Sequence, residues 1–346
     1  MLLPHPGIRV VSARRALGLA LALTLAGCGG GAGAAPQGTP GTTPGGAIPS
    51  LAAGQACGAA PQVDPNAVGW GQPSSPPSVI PFLIANPGEL ICGSNRVMLT
   101  FIDAKTNDAV GAPDRTASIQ LYDLGRDPST AYAQAAGTFV WAIENERGDY
   151  IFNLTFPEAG TYGAAVTTAK AGGPSETIRI AFDVEPTNGV VKVGDKAPST
   201  PTPTAASVGG DLSKISTDTS PDPAFYQVSE SDALAQHKPF VMIFATPKFC
   251  TSAQCGPTLD RIKPFAAKYP SVAFIHVEPY KLTYSDGTLQ ADLDEQNQLQ
   301  PTDVTNTWGL LSEPWVFVVD RNGIVRGSFE LIFSDQELTA ALDSVK

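Results

Sequence analysis

Two cysteines, Cys250 and Cys255, stand four residues apart between an apolar run and a segment that opens like a helix. The run 239–249 reads as a buried strand and a tight turn, and Cys255-Gly256-Pro257 reads as a helix start. Such a placement exposes a thiol at the end of a strand and beside a helix amino terminus, and both conditions favour the thiolate. Thiol–disulfide exchange needs an attacking thiolate and a resolving partner. Cys250, at the end of the strand and turn, is the candidate to meet a substrate, and Cys255 is the candidate to resolve. The pair can bridge only if the turn brings the two Cα atoms within about 4.4–6.8 Å.

The amino terminus sets the expected compartment. Arg9, Arg14 and Arg15 precede an apolar run, 16–26, that is too short to span a bilayer and has the length of a secretory leader core. It ends in Leu25-Ala26-Gly27-Cys28, a match to the bacterial lipobox, in which Cys28 carries the lipid and becomes the first mature residue. The expected location is extracytoplasmic, with membrane attachment through Cys28. Residues 28–77, rich in Gly, Ala, Pro and Thr at the start, read as a flexible tether. The net charge of −11, without basic clusters, argues against nucleic acid and against electrostatic docking to anionic lipid. Of five cysteines, Cys57 and Cys92 remain, either as a structural bridge or as two free thiols.

The elements around these residues divide the chain at a Pro/Thr-rich stretch, 196–204. A leader is expected over 1–27, the tether over 28–77, a β-sandwich domain over 78–190, a linker over 191–223 and an α/β domain over 224–346. Within the sandwich, the segments 96–102, 118–122, 138–143, 150–156 and 177–184 are short and partly alternating, as in an immunoglobulin-like fold. The turn Pro157 to Tyr162 resembles the corner at which a tyrosine packs in such domains, and Trp141 and Tyr162 are expected in the core. In the last domain, a helix over 229–237 ends before Pro239, strand 240–245 follows, and then a helix over 257–269. A second strand covers 272–277. After an acidic excursion (285–303) come strands 315–319 and 324–329 around Asn322-Gly323, and Ser334 to Glu337 is a capping box for a final helix.

The order β-α-β-α-β-β-α, with a cysteine pair between its first strand and helix, resembles the thioredoxin fold. Phe244 to Cys250, Cys255-Gly256-Pro257 and Glu313 to Asp320 also look like bacterial lipoproteins of the thioredoxin-domain family. The resemblance covers roughly 224–346. It implies a thioredoxin-like α/β domain acting on exported thiol or disulfide proteins, without a cofactor. It also implies that Pro314 is a cis-proline placing the Glu313 backbone against the pair. The chain departs from that family in having Cys-x4-Cys, with Thr258 where the second cysteine of Cys-Gly-Pro-Cys would stand.

Two rivals use the same residues. Sco-type copper chaperones bind copper through two cysteines and a distant histidine, and thiolates suit Cu(I). Here the available histidines are His237, at a helix end, and His276, inside a strand where it reads as a packing residue. The second rival is a redox-inert binding module in which Cys250–Cys255 staples a loop. A peroxidatic Thr-x-x-Cys is off by one residue at Thr246 to Cys250. Asp286, Asp292, Asp294 and Glu295 lack the EF-hand spacing, so no metal is assigned.

Overall fold

Alternation of apolar and polar residues builds two sheets in the first part of the chain. The computed structural model describes residues 57–71, 76–86 and 88–346, and the leader and Cys28 lie outside them. The described residues belong to one compact unit. The strands are β1 (Gly58–Ala59), β2 (Val79–Ile84), β3 (Gly93–Asp103), β4 (Arg115–Asp123), β5 (Ala133–Ala136), β6 (Thr138–Ile143), β7 (Arg147–Phe156), β8 (Glu158–Lys170) and β9 (Ser175–Val184). One sheet runs β2-β3-β7-β6. In the other β8 lies against β4, β9 and the short β1, and β5 extends β4. Leu99, Phe101, Ile119, Leu121, Phe152, Phe156, Tyr162 and Val166 form the buried layer drawn from both sheets. This sheet-rich arrangement is consistent with an immunoglobulin-like sandwich. Tyr162 is buried and donates its hydroxyl to the Glu158 carbonyl at 3.0 Å, whereas Trp141 is only half-buried.

Cys57 and Cys92 are disulfide-bonded, with Cα atoms 6.3 Å apart. Cys57 leads into β1 and Cys92 into β3, so the bridge links the lead-in segments of strands belonging to opposite sheets.

The second part is built around Phe240–Phe244 and Trp315–Val319, two runs that are apolar at every position. Strands β10 (Phe240–Phe244), β11 (Ala273–Val277), β14 (Trp315–Val319) and β15 (Val325–Glu330) lie in the order β11-β10-β14-β15. Only the β10–β11 pairing is parallel. Helices α1 (Glu230–Ala235), α2 (Cys255–Lys268), α3 (Asp303–Trp308) and α4 (Asp335–Asp343) accompany them. Val241, Ile243, Val316 and Val318 share one core with Leu259 and Ile262 of α2 and Leu338 and Leu342 of α4. Phe240, Met242, Phe244 and Phe317 share the other with Ala233 of α1 and Trp308 of α3. Burial on both faces explains why β10, β11 and β14 do not alternate, whereas β15, with Arg326 exposed, does so in part.

The expected fold class, a thioredoxin-like α/β domain behind a sandwich, is corrected by this structure. Among the described residues 39% are in strands and 16% in helices, so the described part is built mostly from several β-sheets. Two local causes account for part of the difference. The excursion read as irregular contains a hairpin, β12 (Leu282–Ser285) with β13 (Thr288–Ala291), closed by Asp286-Gly287 at φ 51° and 78°. An Asp-Gly pair with both residues left-handed is the favoured two-residue hairpin turn. Helices α1 and α3 are also short, six residues each. Gly309, at φ 69°, ends α3, and a Cβ there would collide with the Gly189 carbonyl.

The two parts are joined by polar anchors as well as packing. Arg96 of β3 donates to Glu337 of α4 at 2.7 Å and to the Ile332 carbonyl at 2.7 Å. Met98, Val140 and Ile151 meet Ile332 beside it. Glu337 also accepts from the Ser334 backbone, completing the α4 capping box. Arg96→Ala therefore removes charge-assisted bonds and leaves Glu337 without its cation. The expected loss is about 2 kcal/mol, read as a lowered denaturant midpoint with α4 still capped.

Candidate functional site

The chemistry-bearing residues converge where β10 ends and α2 begins. After Phe244 the chain leaves the sheet, turns at Thr246 to Phe249, and passes through Cys250 and the turn 251–254 into α2. Cys250 and Cys255 are disulfide-bonded, with Cα atoms 6.1 Å apart, so four intervening residues are accommodated within bridging range. Ala253, at φ 62°, supplies a left-handed step in this turn.

The two sulfurs are unequal. Cys250 is half-buried, whereas Cys255 is 0% exposed and lies in the core of α2. The Cys255 backbone N–H donates to the Cys250 Sγ at 3.2 Å, and the Ser252 hydroxyl lies 3.4 Å from the same sulfur. The first N–H of α2 is thus aimed at Cys250, the sulfur nearer solvent.

The Glu313–Pro314 bond is cis, and it carries Glu313 to the cysteine turn. Its carbonyl accepts from the Ser252 hydroxyl at 3.0 Å. Its carboxylate is 3% exposed and is held by neutral donors: the Thr251 N–H at 3.0 Å, the Thr251 hydroxyl at 2.9 Å, and the Tyr280 hydroxyl. Burial, with the carboxylate second, pushes the Tyr280 phenol above its usual range, so it stays a donor. One ligand-bearing atom each from Cys250, Cys255 and Glu313 all fall within 4.8 Å of one another.

Neither histidine joins this group. His276 is 1% exposed, and its ring nitrogens meet the Tyr226 hydroxyl at 2.7 Å and the Ala245 carbonyl at 2.8 Å. Burial pushes the His276 imidazole below its ordinary value, which favours the neutral ring. His237 is exposed, with Nδ1 3.3 Å from the Arg321 carbonyl. An open groove of about 390 Å³ lies beside the turn, bounded by Thr217, Asp218, Pro247, Lys248 and Thr288.

The structure therefore joins Cys250 and Cys255 beside Glu313, the residue before Pro314, and it pairs Cys57 with Cys92 elsewhere. Sequence reasoning named Glu313 only for its backbone, and it passed over Tyr280 and Thr251. The one available signal was an acidic residue directly before the singled-out proline.

No protein-family model matches the chain, and no curated protein matches it. Among solved structures, a match is a DUF4426 family protein from Pseudomonas aeruginosa PAO1, known from a crystal structure. The two are 9% identical, the match covers 34% of this chain and 100% of that one, and the TM-score is 0.24.

Proposed function

We propose that the protein exchanges disulfides with exported thiol or disulfide proteins through Cys250 and Cys255, while tethered to a membrane through Cys28. The observation that carries the proposal is the asymmetry of the pair. A half-buried Cys250 sulfur receives an α2 N–H at 3.2 Å, and its partner sulfur is enclosed. Attack on, or by, the accessible sulfur followed by resolution from the enclosed one is the order such a pair supports.

The same pair is a poor staple. In the chain-entropy description a bridge over five positions constrains the unfolded chain by about 2 kcal/mol, against about 4 kcal/mol for one over 35. The bridge suited to holding the fold is Cys57–Cys92.

The test is a redox titration in graded dithiol/disulfide buffers, with thiols trapped by alkylation and assigned by mass spectrometry. Cys250 and Cys255 are expected to open and close together and reversibly, and to pass electrons to a model disulfide substrate. A pair that remains oxidised under excess dithiol and exchanges with nothing would end the proposal.

A further inference from the structure

We propose that the reduced protein has a Zn²⁺ site made by Cys250, Cys255 and Glu313, which the disulfide abolishes. The two sulfurs, joined here in the disulfide, and a Glu313 carboxylate oxygen lie within 4.8 Å of one another, so opening the bond provides a three-ligand set with a fourth position for water or a substrate group. Mixed sulfur and oxygen donors suit a borderline cation. Cu(I) favours sulfur and imidazole, no imidazole belongs to the group, and Mg²⁺ and Ca²⁺ favour all-oxygen sets.

Electrostatics supplies an independent reason. Glu313 is almost fully buried, yet it takes part in none of the ion pairs among the described residues. Its donors are all neutral. A buried carboxylate ordinarily has a cation beside it. Reduction would add two ionisable thiols to the same place, and a divalent cation offsets the charge that then collects.

The surroundings resemble those of a supported ligand. Thr251 fixes Oε1 from both its N–H and its hydroxyl, and Tyr280 donates to Oε2, which keeps a second lone pair. Binding replaces two S–H protons by the metal: Zn²⁺ enters, two protons leave, and no electrons move. Exchange with a substrate disulfide closes the pair: the S–S bond of Cys250 and Cys255 forms, the substrate S–S bond breaks, its two sulfurs take the two electrons and two protons and leave as thiols, and the ion is released.

The site requires that the pair can be reduced, as disulfide exchange does, so thiol counts on the same samples separate the two failures. Protein reduced with a phosphine and desalted without oxygen is titrated with Zn²⁺ against a chromogenic chelator. Co²⁺ is used in parallel to report tetrahedral, thiolate-ligated geometry. One ion per chain is expected in the reduced protein and none in the oxidised protein. Cys250→Ser should abolish binding, and Glu313→Gln should weaken it by about tenfold or more. Tyr280→Phe, which leaves every ligand in place, should weaken it by about tenfold and serves if Glu313→Gln fails to fold. Fully reduced protein that binds no Zn²⁺ overturns the site. So does affinity indifferent to both Glu313→Gln and Tyr280→Phe, or a preference for Cu(I) equally indifferent to them.

Discussion

Cys255→Ser is expected to trap the protein on its substrate, whereas Cys250→Ser abolishes exchange by on the order of a thousandfold or more. The difference follows from burial. In Cys255→Ser the half-buried Cys250 keeps its sulfur near solvent, and the residue-255 N–H that donates to it is unaffected by the side-chain change. Its thiolate attacks a substrate disulfide, one substrate thiolate leaves, and the mixed disulfide persists because no second sulfur can displace it. In Cys250→Ser the remaining sulfur is enclosed among Leu259, Val316 and their neighbours, out of reach of a protein disulfide. Non-reducing electrophoresis and intact mass after incubation with an excess of a small disulfide distinguish the two variants. The roles are reversed if Cys250→Ser accumulates the adduct and Cys255→Ser does not. Absence of adduct from both variants reduces the pair to a structural bridge.

The placement of the two cysteines, one after a strand and one at a helix start, is legible in the sequence because it depends on local order. Residues 240–245 form an unbroken apolar run, so a doubly covered strand ending at the cysteine turn follows from composition alone. The structure buries all of Phe240–Phe244. Asn322-Gly323 and the Ser334–Glu337 capping box are likewise local signals, and both hold their places through short-range bonds. Asp286-Gly287 is as clear a hairpin signal as Asn322-Gly323. It was hidden by the acidic residues around it, and missing it contributed to the mistaken fold class. Glu313 was invisible for a different reason. Its carboxylate is defined by Thr251, 62 positions away, and Tyr280, 33 positions away. No spacing along the chain announces such a meeting, which arises only when β10, β11 and β14 lie side by side. The anchor from Arg96 to Glu337 spans 241 positions and was equally beyond a local reading.

A second buried carboxylate makes the stability of the fold depend on pH, with a sign that can be worked out. Glu230 opens α1 and is 0% exposed. Its Oε1 accepts from the Trp308 indole N–H at 3.1 Å, and its Oε2 has no partner. Burial pushes its carboxyl from 4.5 up to about 8, with the bond from Trp308 acting in the opposite direction. Between those two values the folded protein holds a proton that the unfolded chain has released, so folding becomes less favourable as pH rises. The stabilising contribution is complete below pH 4.5 and gone above about 8, falling by about 1.4 kcal/mol per pH unit between them. Glu230→Gln keeps the shape and the acceptor for Trp308 but has nothing to ionise. The variant should therefore lose this slope and outlast the natural protein above pH 8. His276, whose pKa is lowered by burial, produces a trend of the opposite sign below its unfolded value, and it is common to both proteins. The difference between the two urea-denaturation series thus isolates Glu230. Parallel stability curves across pH 5–8 would show that the carboxyl is ionised in the fold, and its unpartnered oxygen would then have to be met by water reaching the space between α1 and α3.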